Sequence, residues 1–142
     1  MTAAATVASA WVVDASVAVK WFLPLEREPQ GSLARDTIGR LAMRTTALAM
    51  HEVGNVLTRH SGWPAERIAS ALDLLLEICG DPLELQPADH ALAVELALAH
   101  DLSFYDASYA AIARRVDRRL LSADTDLTGP GLAVGLETAL DA

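Results

Sequence analysis

The chain has 142 residues, of which 52% are hydrophobic and 5% aromatic, and its formal net charge is −8 at pH 7. We expect a single domain over residues 1–142 with a flexible tail at residues 1–9, because this length suits one compact core but not two. The apolar content argues against global disorder. The acidic balance argues against nucleic-acid binding through a generally basic surface, but not against an enzyme that meets RNA at one local site.

Cysteine usage and the apolar segments indicate where the protein works. Cys79 is the only cysteine, which excludes an intrachain disulfide and a cysteine-rich zinc site and favours a reducing, cytoplasmic setting. The N-terminal segment has no basic region, which argues against a signal peptide. No stretch reaches the ~18 apolar residues that a membrane helix needs, so we expect no membrane partner.

The first quarter of the chain predicts a strand followed by a helix. Residues 11–13 form the short apolar run of a buried strand, and residues 15–23 form a helix that ends before Pro24, which cannot continue one. A charged helical stretch begins at Ser32. Asp14 therefore lies at the junction of a strand and a helix.

The middle of the chain predicts a second strand and two longer helices. A short strand at residues 44–46 precedes a helix over residues 47–60, and Glu52 borders the apolar face of that helix. Pro64 suits the start of the next helix, over residues 65–78. Its inward-facing side chains are predicted to be Leu72, Leu75 and Leu76.

The last part of the chain continues the alternation. Residues 83–86 predict a strand, an Ala/Leu-rich helix ends near His100, and a further helix covers residues 104–116. Strands are predicted at residues 120–122 and, as a last edge strand, at residues 132–136. This order predicts an α/β fold with a mainly parallel sheet covered by helices, in which ligands bind beyond the carboxyl ends of the strands.

Four acidic residues lie where a strand ends or where a helix begins or turns over: Asp14, Glu52, Asp106 and Asp124. Taken singly, each has a structural explanation. Asp14 suits a helix N-cap and Asp124 a turn. Asp106 suits the third position of a capping box begun by Ser103, and Glu52 suits a solvated helix flank. Taken together, at these places in an α/β chain, they indicate one carboxylate pocket.

Such a pocket is costly unless its charge is neutralised. Two carboxylates ~5 Å apart repel by roughly 3 kcal/mol at an effective dielectric constant near 20, and four groups make six pairs, on the order of 10 kcal/mol after discounting. A domain of this size has only ~5–15 kcal/mol of net stability. The pocket therefore needs protons or cations, and Mg²⁺ is the expected ion because it prefers oxygen ligands.

The four segments that carry these acids resemble the motifs of the PIN-domain ribonucleases, specifically the VapC toxins of type II toxin–antitoxin pairs. The segments are VVDASVAVKWFLPLE, HEVGNVL, LSFYDASYAAIA and LLSADTDL, and the similarity spans about residues 12–127. The fourth segment has Ser122 where the family more often has Thr, a hydroxyl that can make the same hydrogen bonds. The resemblance implies a Rossmann-like α/β/α sandwich, a homodimer and a cognate VapB-type antitoxin that blocks the active site.

The resemblance also implies Mg²⁺- or Mn²⁺-dependent hydrolysis of RNA that leaves a 5′-phosphate and a 3′-hydroxyl. We expect Asp14 and Asp106 to be the main metal ligands, with Glu52 and Asp124 completing the catalytic pocket directly or through water. Asp126 is a possible outer acid. In the family, Asn55 would be the usual companion of the second acid. The cationic residues available for RNA contact are Lys20, Arg114, Arg115, Arg118 and Arg119.

Two other functions remain open from the residues. A phosphotransfer or phosphatase-type domain would need a nucleophilic aspartate and a partner lysine, and Lys20 is the only lysine in the chain. A non-catalytic module would keep the fold and bind a protein partner, although all four acids are present. Trp21 and Phe22 are predicted to be core or dimer-contact residues rather than platforms for RNA bases.

Overall fold

Three short parallel strands form the centre of the fold in the computed structural model of the chain, which describes residues 10–141. They are β1 (Trp11–Val13), β2 (Met43–Thr45) and β3 (Arg119–Leu121), in the order β2-β1-β3. All three residues of β1 are buried, since helices cover both faces of the sheet. The predicted parallel α/β architecture is confirmed, and the tail predicted at residues 1–9 lies outside the described residues.

Helices supply the rest of the core. In the described part of the chain they are α1 (Ala15–Phe22), α2 (Gly31–Thr37), α3 (Ala47–His60), α4 (Ala65–Cys79), α5 (His90–His100), α6 (Phe104–Arg115), α7 (Thr125–Thr128) and α8 (Leu136–Asp141), with 3₁₀ turns at Leu25–Arg27 and Pro87–Asp89. Helix α6 packs on β1 and β3, and α1 packs on α3. Within residues 10–141, no helix combines the length and apolarity needed to cross a membrane.

The two predicted outer strands are wrong. Of residues 83–86, only Leu83 pairs with the sheet, in a single parallel bridge to Thr46. The chain then turns into the 3₁₀ segment, where Pro87 has no N–H to donate to a ladder. Of residues 132–136, only Val134 pairs, with Leu121, and helix α8 begins two residues later.

The inward face of helix α4 matches the predicted one at Leu72, which is partly buried against the core, and at Leu75, but not at Leu76. Its buried residues are Ile68, Ala71, Leu75 and Cys79. This spacing of three to four residues is that of one helical face. Leu76 lies outside that stripe and is 38% exposed, so its predicted inward position is wrong, whereas Leu75 is fully buried as predicted.

The strand order creates a crevice at the carboxyl ends of β1 and β3. From β1 the chain crosses to β2 on one side, and from β3 it continues to the Val134 bridge on the other side. Neighbouring strands whose connections leave in opposite directions form the switch point where parallel sheets bind ligands. Asp14 directly follows β1 and Ser122 directly follows β3, so both lie at this crevice.

Candidate functional site

Asp14 is a buried carboxylate held by hydroxyl groups. Its side chain is 3% exposed and caps α1, accepting a 3.3 Å hydrogen bond from the Val17 amide at Oδ1. Ser16 Oγ donates to the same oxygen at 2.6 Å, and Ser122 Oγ donates to Oδ2 at 2.5 Å. The predicted N-cap role is therefore confirmed, and it coexists with contacts that reach across to the end of β3.

Among the residues that the structure describes, no cationic side chain forms an ion pair with Asp14. Across residues 10–141 the ion pairs are Lys20–Glu28 and Arg115–Asp89, and neither involves it. Burial raises the pKa of Asp14 from its usual 3.8 to about 6, against the lowering effect of the serine and backbone hydrogen bonds, and the charge of Asp124 raises it further. Burial thus disfavours the charged form of this carboxylate.

Asp124 is fixed by the same serine that binds Asp14. The Asp124 amide donates to Ser122 Oγ at 3.0 Å, and the Asp124 side chain caps α7 by accepting from the Asp126 amide at 2.9 Å. Ser122 Oγ and Ser16 Oγ lie 3.3 Å apart, and Ser16 Oγ also accepts from the Ala123 amide. Two hydroxyls therefore join the ends of β1 and β3 and place Asp14 and Asp124 within electrostatic range.

Asp106 approaches the same acids from the first turn of α6. Ser103 caps this helix as predicted, accepting a 3.0 Å hydrogen bond from the Asp106 amide. The pKa of Asp106 is raised by partial burial and then by the charges of Asp124 and Asp126, against a hydrogen bond from Ser103. The charge of Asp124 therefore acts on both Asp14 and Asp106, and that of Asp126 acts on Asp106.

Glu52 joins the group through a tyrosine. It is partly buried on α3, and the Tyr109 hydroxyl of α6 donates to Glu52 Oε1 at 2.8 Å. The Tyr109 side chain is 1% exposed, and its pKa is raised well above the usual value by burial and then by the charge of Glu52, so it remains a donor. The charge of Asp14 contributes to that shift, which links Glu52 to the crevice.

Two cavities adjoin the site, and Glu52 lines both. The first, about 370 Å³, is lined by Ala15, Ser16, Val19, Lys20, Glu28, Glu52, Val56 and Ala123. The second, about 320 Å³, is lined by Leu48, Glu52, Ser103, Tyr105 and Asp106. The first contains the Lys20–Glu28 ion pair, with 3.6 Å between Nζ and Oε1. The first cavity therefore holds one lysine between two glutamates, and the second holds an aromatic ring.

The acids are close enough to influence one another but are not gathered around one point. Over residues 10–141, no three acidic, histidine or cysteine side chains are already close enough together to hold a metal ion. Asp14 is the anchored member, while Asp106 and Asp124 are only partly buried. The arrangement offers oxygen donors that a cation could draw together.

The predicted RNA contacts are not all at this site. Lys20 lines a cavity with Glu52, whereas Arg114, Arg118 and Arg119 line another cavity at the opposite, amino-terminal end of β3. Arg115 donates to Asp89 at 2.7 Å and has a structural role. Trp21 is buried and donates to the Ala34 carbonyl, as expected of a core residue.

The sequence did not single out Ser16 or Tyr109 as site residues. Ser16 follows Asp14 by two positions, the spacing of a local serine–carboxylate contact, so a signal was present. Tyr109 lies three positions after Asp106, on a neighbouring part of the same helical face. Its partner Glu52 is 57 residues away in sequence, and no local pattern connects the two.

A sequence model of the PIN domain matches residues 11–129, from the start of β1 to just beyond α7, and contains all four acids. The chain belongs to the PIN-domain family. This PIN domain is also 32% identical over 120 residues to ribonuclease VapC3 of Pyrobaculum aerophilum. The aligned region covers 82% of this chain and 90% of that protein. The resemblance to VapC proteins is therefore confirmed.

Solved structures have the same fold as this PIN domain. VapC20 of Mycobacterium tuberculosis, a toxin that cleaves the sarcin–ricin loop, aligns with a TM-score of 0.69 at 18% identity, over 85% of this chain and 95% of that chain. A toxin–antitoxin complex from Klebsiella pneumoniae aligns with a TM-score of 0.65 at 16% identity, over 88% and 96% of the two chains. At these identities the similarity establishes the shared fold.

Proposed function

We propose that this PIN domain is a Mg²⁺- or Mn²⁺-dependent endoribonuclease and the toxin of a toxin–antitoxin pair. The observation that carries the proposal is Asp14. It is a buried carboxylate at the switch point of the sheet, without a cationic partner in the described residues, and the charge of Asp124 acts on both it and Asp106. The 32% identity to ribonuclease VapC3 supports RNA as the substrate.

The donor chemistry fits a hard divalent cation. All four predicted ligands are carboxylates, the oxygen donors that Mg²⁺ and Mn²⁺ prefer. A carboxylate has about four acceptor positions. In Asp14, two acceptor positions on Oδ1 are occupied by the donors Ser16 and Val17, and one position on Oδ2 is occupied by Ser122. The remaining position on Oδ2 is the one we assign to the metal, with Asp106 as the second direct ligand.

The chain's own groups would orient the ion and the substrate. Ser16 and Ser122 hold the Asp14 carboxylate in one orientation, and Tyr109 does the same for Glu52. Lys20 lies where it can contact an RNA phosphate next to the acids. When bound, the cation supplies positive charge that acidifies a nearby water and offsets the charge developing at the scissile phosphate.

We also propose that the protein forms a homodimer and is inhibited by a VapB-type antitoxin that covers the acids. Support for a protein partner comes from the shared fold with a toxin–antitoxin complex. The acidic site would favour a basic inhibitory segment, because like charges across an interface are costly. A single, buried cysteine suits the cytoplasmic setting that we propose.

The test is cleavage of a pool of single-stranded RNAs, followed by mapping of the new ends. We expect cleavage with Mg²⁺ or Mn²⁺, none with EDTA, and none with Asp14→Asn. The matched control is Asp36→Asn, an exposed acid on α2, which should cleave like the wild type. Cleavage that persists in EDTA would contradict the proposal. A trapped aspartyl-phosphate would favour phosphotransfer, for which Lys20, already paired with Glu28, is the available lysine.

A further inference from the structure

Tyr105 forms an exposed aromatic wall beside the acids. Its side chain is 64% exposed, and it lines the 320 Å³ cavity together with Leu48 and two of the predicted acids, Glu52 and Asp106. Neither metal binding nor the orientation of the acids requires an aromatic ring at this position. A large ring left open to water at the edge of a polar site is a typical feature of a binding surface.

The position of Tyr105 follows from the geometry of α6. Tyr105 and Tyr109 are four residues apart, so they lie one helical turn from each other on the same side of the helix. Tyr109 is buried and bonded to Glu52 of α3, whereas Tyr105, at the second position of the helix, opens onto the cavity that Glu52 also lines. The fold thus fixes the ring next to the place where a phosphate would react.

We propose that this cavity is the subsite for one unpaired nucleobase of the RNA substrate, stacked on the Tyr105 ring beside Leu48. The inference rests on the proposed nuclease function, since the base enters only with a phosphate bound at the acids. A base is planar and uncharged, and its amino groups can donate to carboxylates, so it suits an aromatic wall with an acidic rim. A free phosphate or an acidic peptide would be repelled.

The subsite predicts a preference for unpaired RNA. In a duplex, bases are stacked on their neighbours and paired, so a base must leave the helix before an aromatic side chain can stack on it. The other cavity that Glu52 lines contains Lys20, which would exchange its Glu28 partner for the negatively charged backbone of the same strand. The base contact and the backbone contact are therefore on different residues and can be removed separately.

The experiment compares variants in cleavage of the pooled single-stranded RNA, with the base composition beside each cut determined from the mapped ends. Tyr105→Ala should raise KM roughly 5- to 150-fold, the usual cost of one lost base stack, and should flatten base preference next to the cut. Tyr105→Phe keeps the ring and should stay within about twofold of the wild type. If Mn²⁺ binds the acids as proposed, it should raise the melting temperature of both variants by the same amount as that of the wild type.

Two further variants separate stacking from other causes. Phe104→Ala removes the neighbouring ring, which lines a groove shared with Tyr105 and Leu48 but with none of the four predicted acids, and its KM should be close to wild type. Lys20→Ala should lower the slope of log KM against log salt concentration by roughly 0.7, whereas Tyr105→Ala should leave that slope unchanged. An unchanged salt slope in Tyr105→Ala is expected only if the ring contacts a neutral base and not a phosphate.

The outcomes separate this inference from the proposed function. If the wild type cleaves and Tyr105→Ala cleaves with the same KM and the same base preference, the base subsite is wrong and the nuclease function stands. If Tyr105→Ala changes the oligomeric mass in solution, the surface belongs to a second copy of the chain and the inference is overturned. If the wild type shows no metal-dependent cleavage, the proposed function itself fails.

Discussion

Two aspartates are buried in the described part of the chain, and they are stabilised in opposite ways. Asp89, 2% exposed, pairs with the Arg115 guanidinium at 2.7 Å and accepts from the Gln86 amide at 2.8 Å. Asp14, 3% exposed, has only two hydroxyls and one amide, and the charge of Asp124 nearby. One carboxylate has a fixed counter-charge and the other does not.

This difference is our reason for proposing a structural role for Asp89 and a functional role for Asp14. A buried charge with a permanent partner ties two segments together, as Asp89 ties the 3₁₀ turn to the end of α6. A buried charge without one destabilises the fold unless it takes up a proton or a cation. The hydroxyls around Asp14 orient it without neutralising it, which leaves it able to bind the cation that we propose.

The largest expected effect is that Asp14→Asn loses activity but not stability, whereas Asp89→Asn loses stability but not activity. Asp14→Asn should reduce RNA cleavage on the order of a thousandfold, because several kcal/mol of transition-state stabilisation depend on the metal, and it should stay folded. Asp89→Asn should cleave normally per folded molecule but lose about 1–3 kcal/mol of stability, since partly exposed Arg115 loses its partner.

Denaturant unfolding and cleavage rates on the same preparations check this contrast. The two proposed roles would be contradicted if Asp14→Asn lowered stability but kept activity, or if Asp89→Asn abolished cleavage without loss of stability.

The next largest effect is on how the stability of the metal-free protein depends on pH. The pKa of Asp14 is about 6 in the fold against its usual 3.8, so the folded state binds this proton more tightly. The resulting stability is complete below pH 3.8 and is lost as pH rises through 6, on the order of 3 kcal/mol by pH 7. Asp106, whose pKa is also raised, acts in the same direction.

Urea unfolding in EDTA between pH 4 and neutral pH measures this decline. Asp14→Asn should remove most of it, and Asp89→Asn should keep it. A wild-type protein that gains stability over the same interval relative to Asp14→Asn would contradict the buried, uncompensated carboxylate.

A smaller effect is expected from the hydrogen bond to Glu52. Tyr109→Phe keeps the buried ring and removes only the 2.8 Å bond, so metal affinity and cleavage should fall about tenfold with little loss of stability. Tyr105→Phe removes an exposed hydroxyl and is the matched control. Calorimetric titration with Mn²⁺ checks the affinity, and equal losses in the two variants would show that the Glu52 contact does not matter.

The smallest effect concerns Asp106, which is only partly buried. Asp106→Asn should raise the melting temperature of the metal-free protein slightly, because it removes repulsion with Asp124 and Asp126. The same change at Asp73, an exposed acid on α4, should have no effect. A lowered melting temperature would instead indicate that the Asp106 carboxylate is needed for capping with Ser103.

The sequence was sufficient where local chemistry decides the structure. The strand at Trp11–Val13 and the helix Ala47–His60 have the predicted bounds, because apolar runs and breakers mark them. The caps at Asp14 and Ser103 were also predictable from residue type and position. These features rest on interactions within a few residues of one another.

The sequence was insufficient where distant segments compete. Residues 83–86 and 132–136 have strand-like patterns, but each meets the sheet at one residue because a 3₁₀ turn or a helix begins directly afterwards. Helices α7 and α8 were missed, since four- and six-residue helices leave little periodicity to detect. The Ser122–Asp14 contact spans 108 residues, and only the fold brings its partners together.

The most direct test of the uncompensated carboxylate is a crystal of the protein soaked in Mn²⁺ and measured for anomalous scattering. We expect an anomalous peak beside Asp14 Oδ2, on the side not occupied by Ser122, with Asp106 drawn toward it. An Asp14 that keeps its serine contacts with no peak beside it, while Asp106 and Asp124 stay apart, would contradict a metal-dependent site.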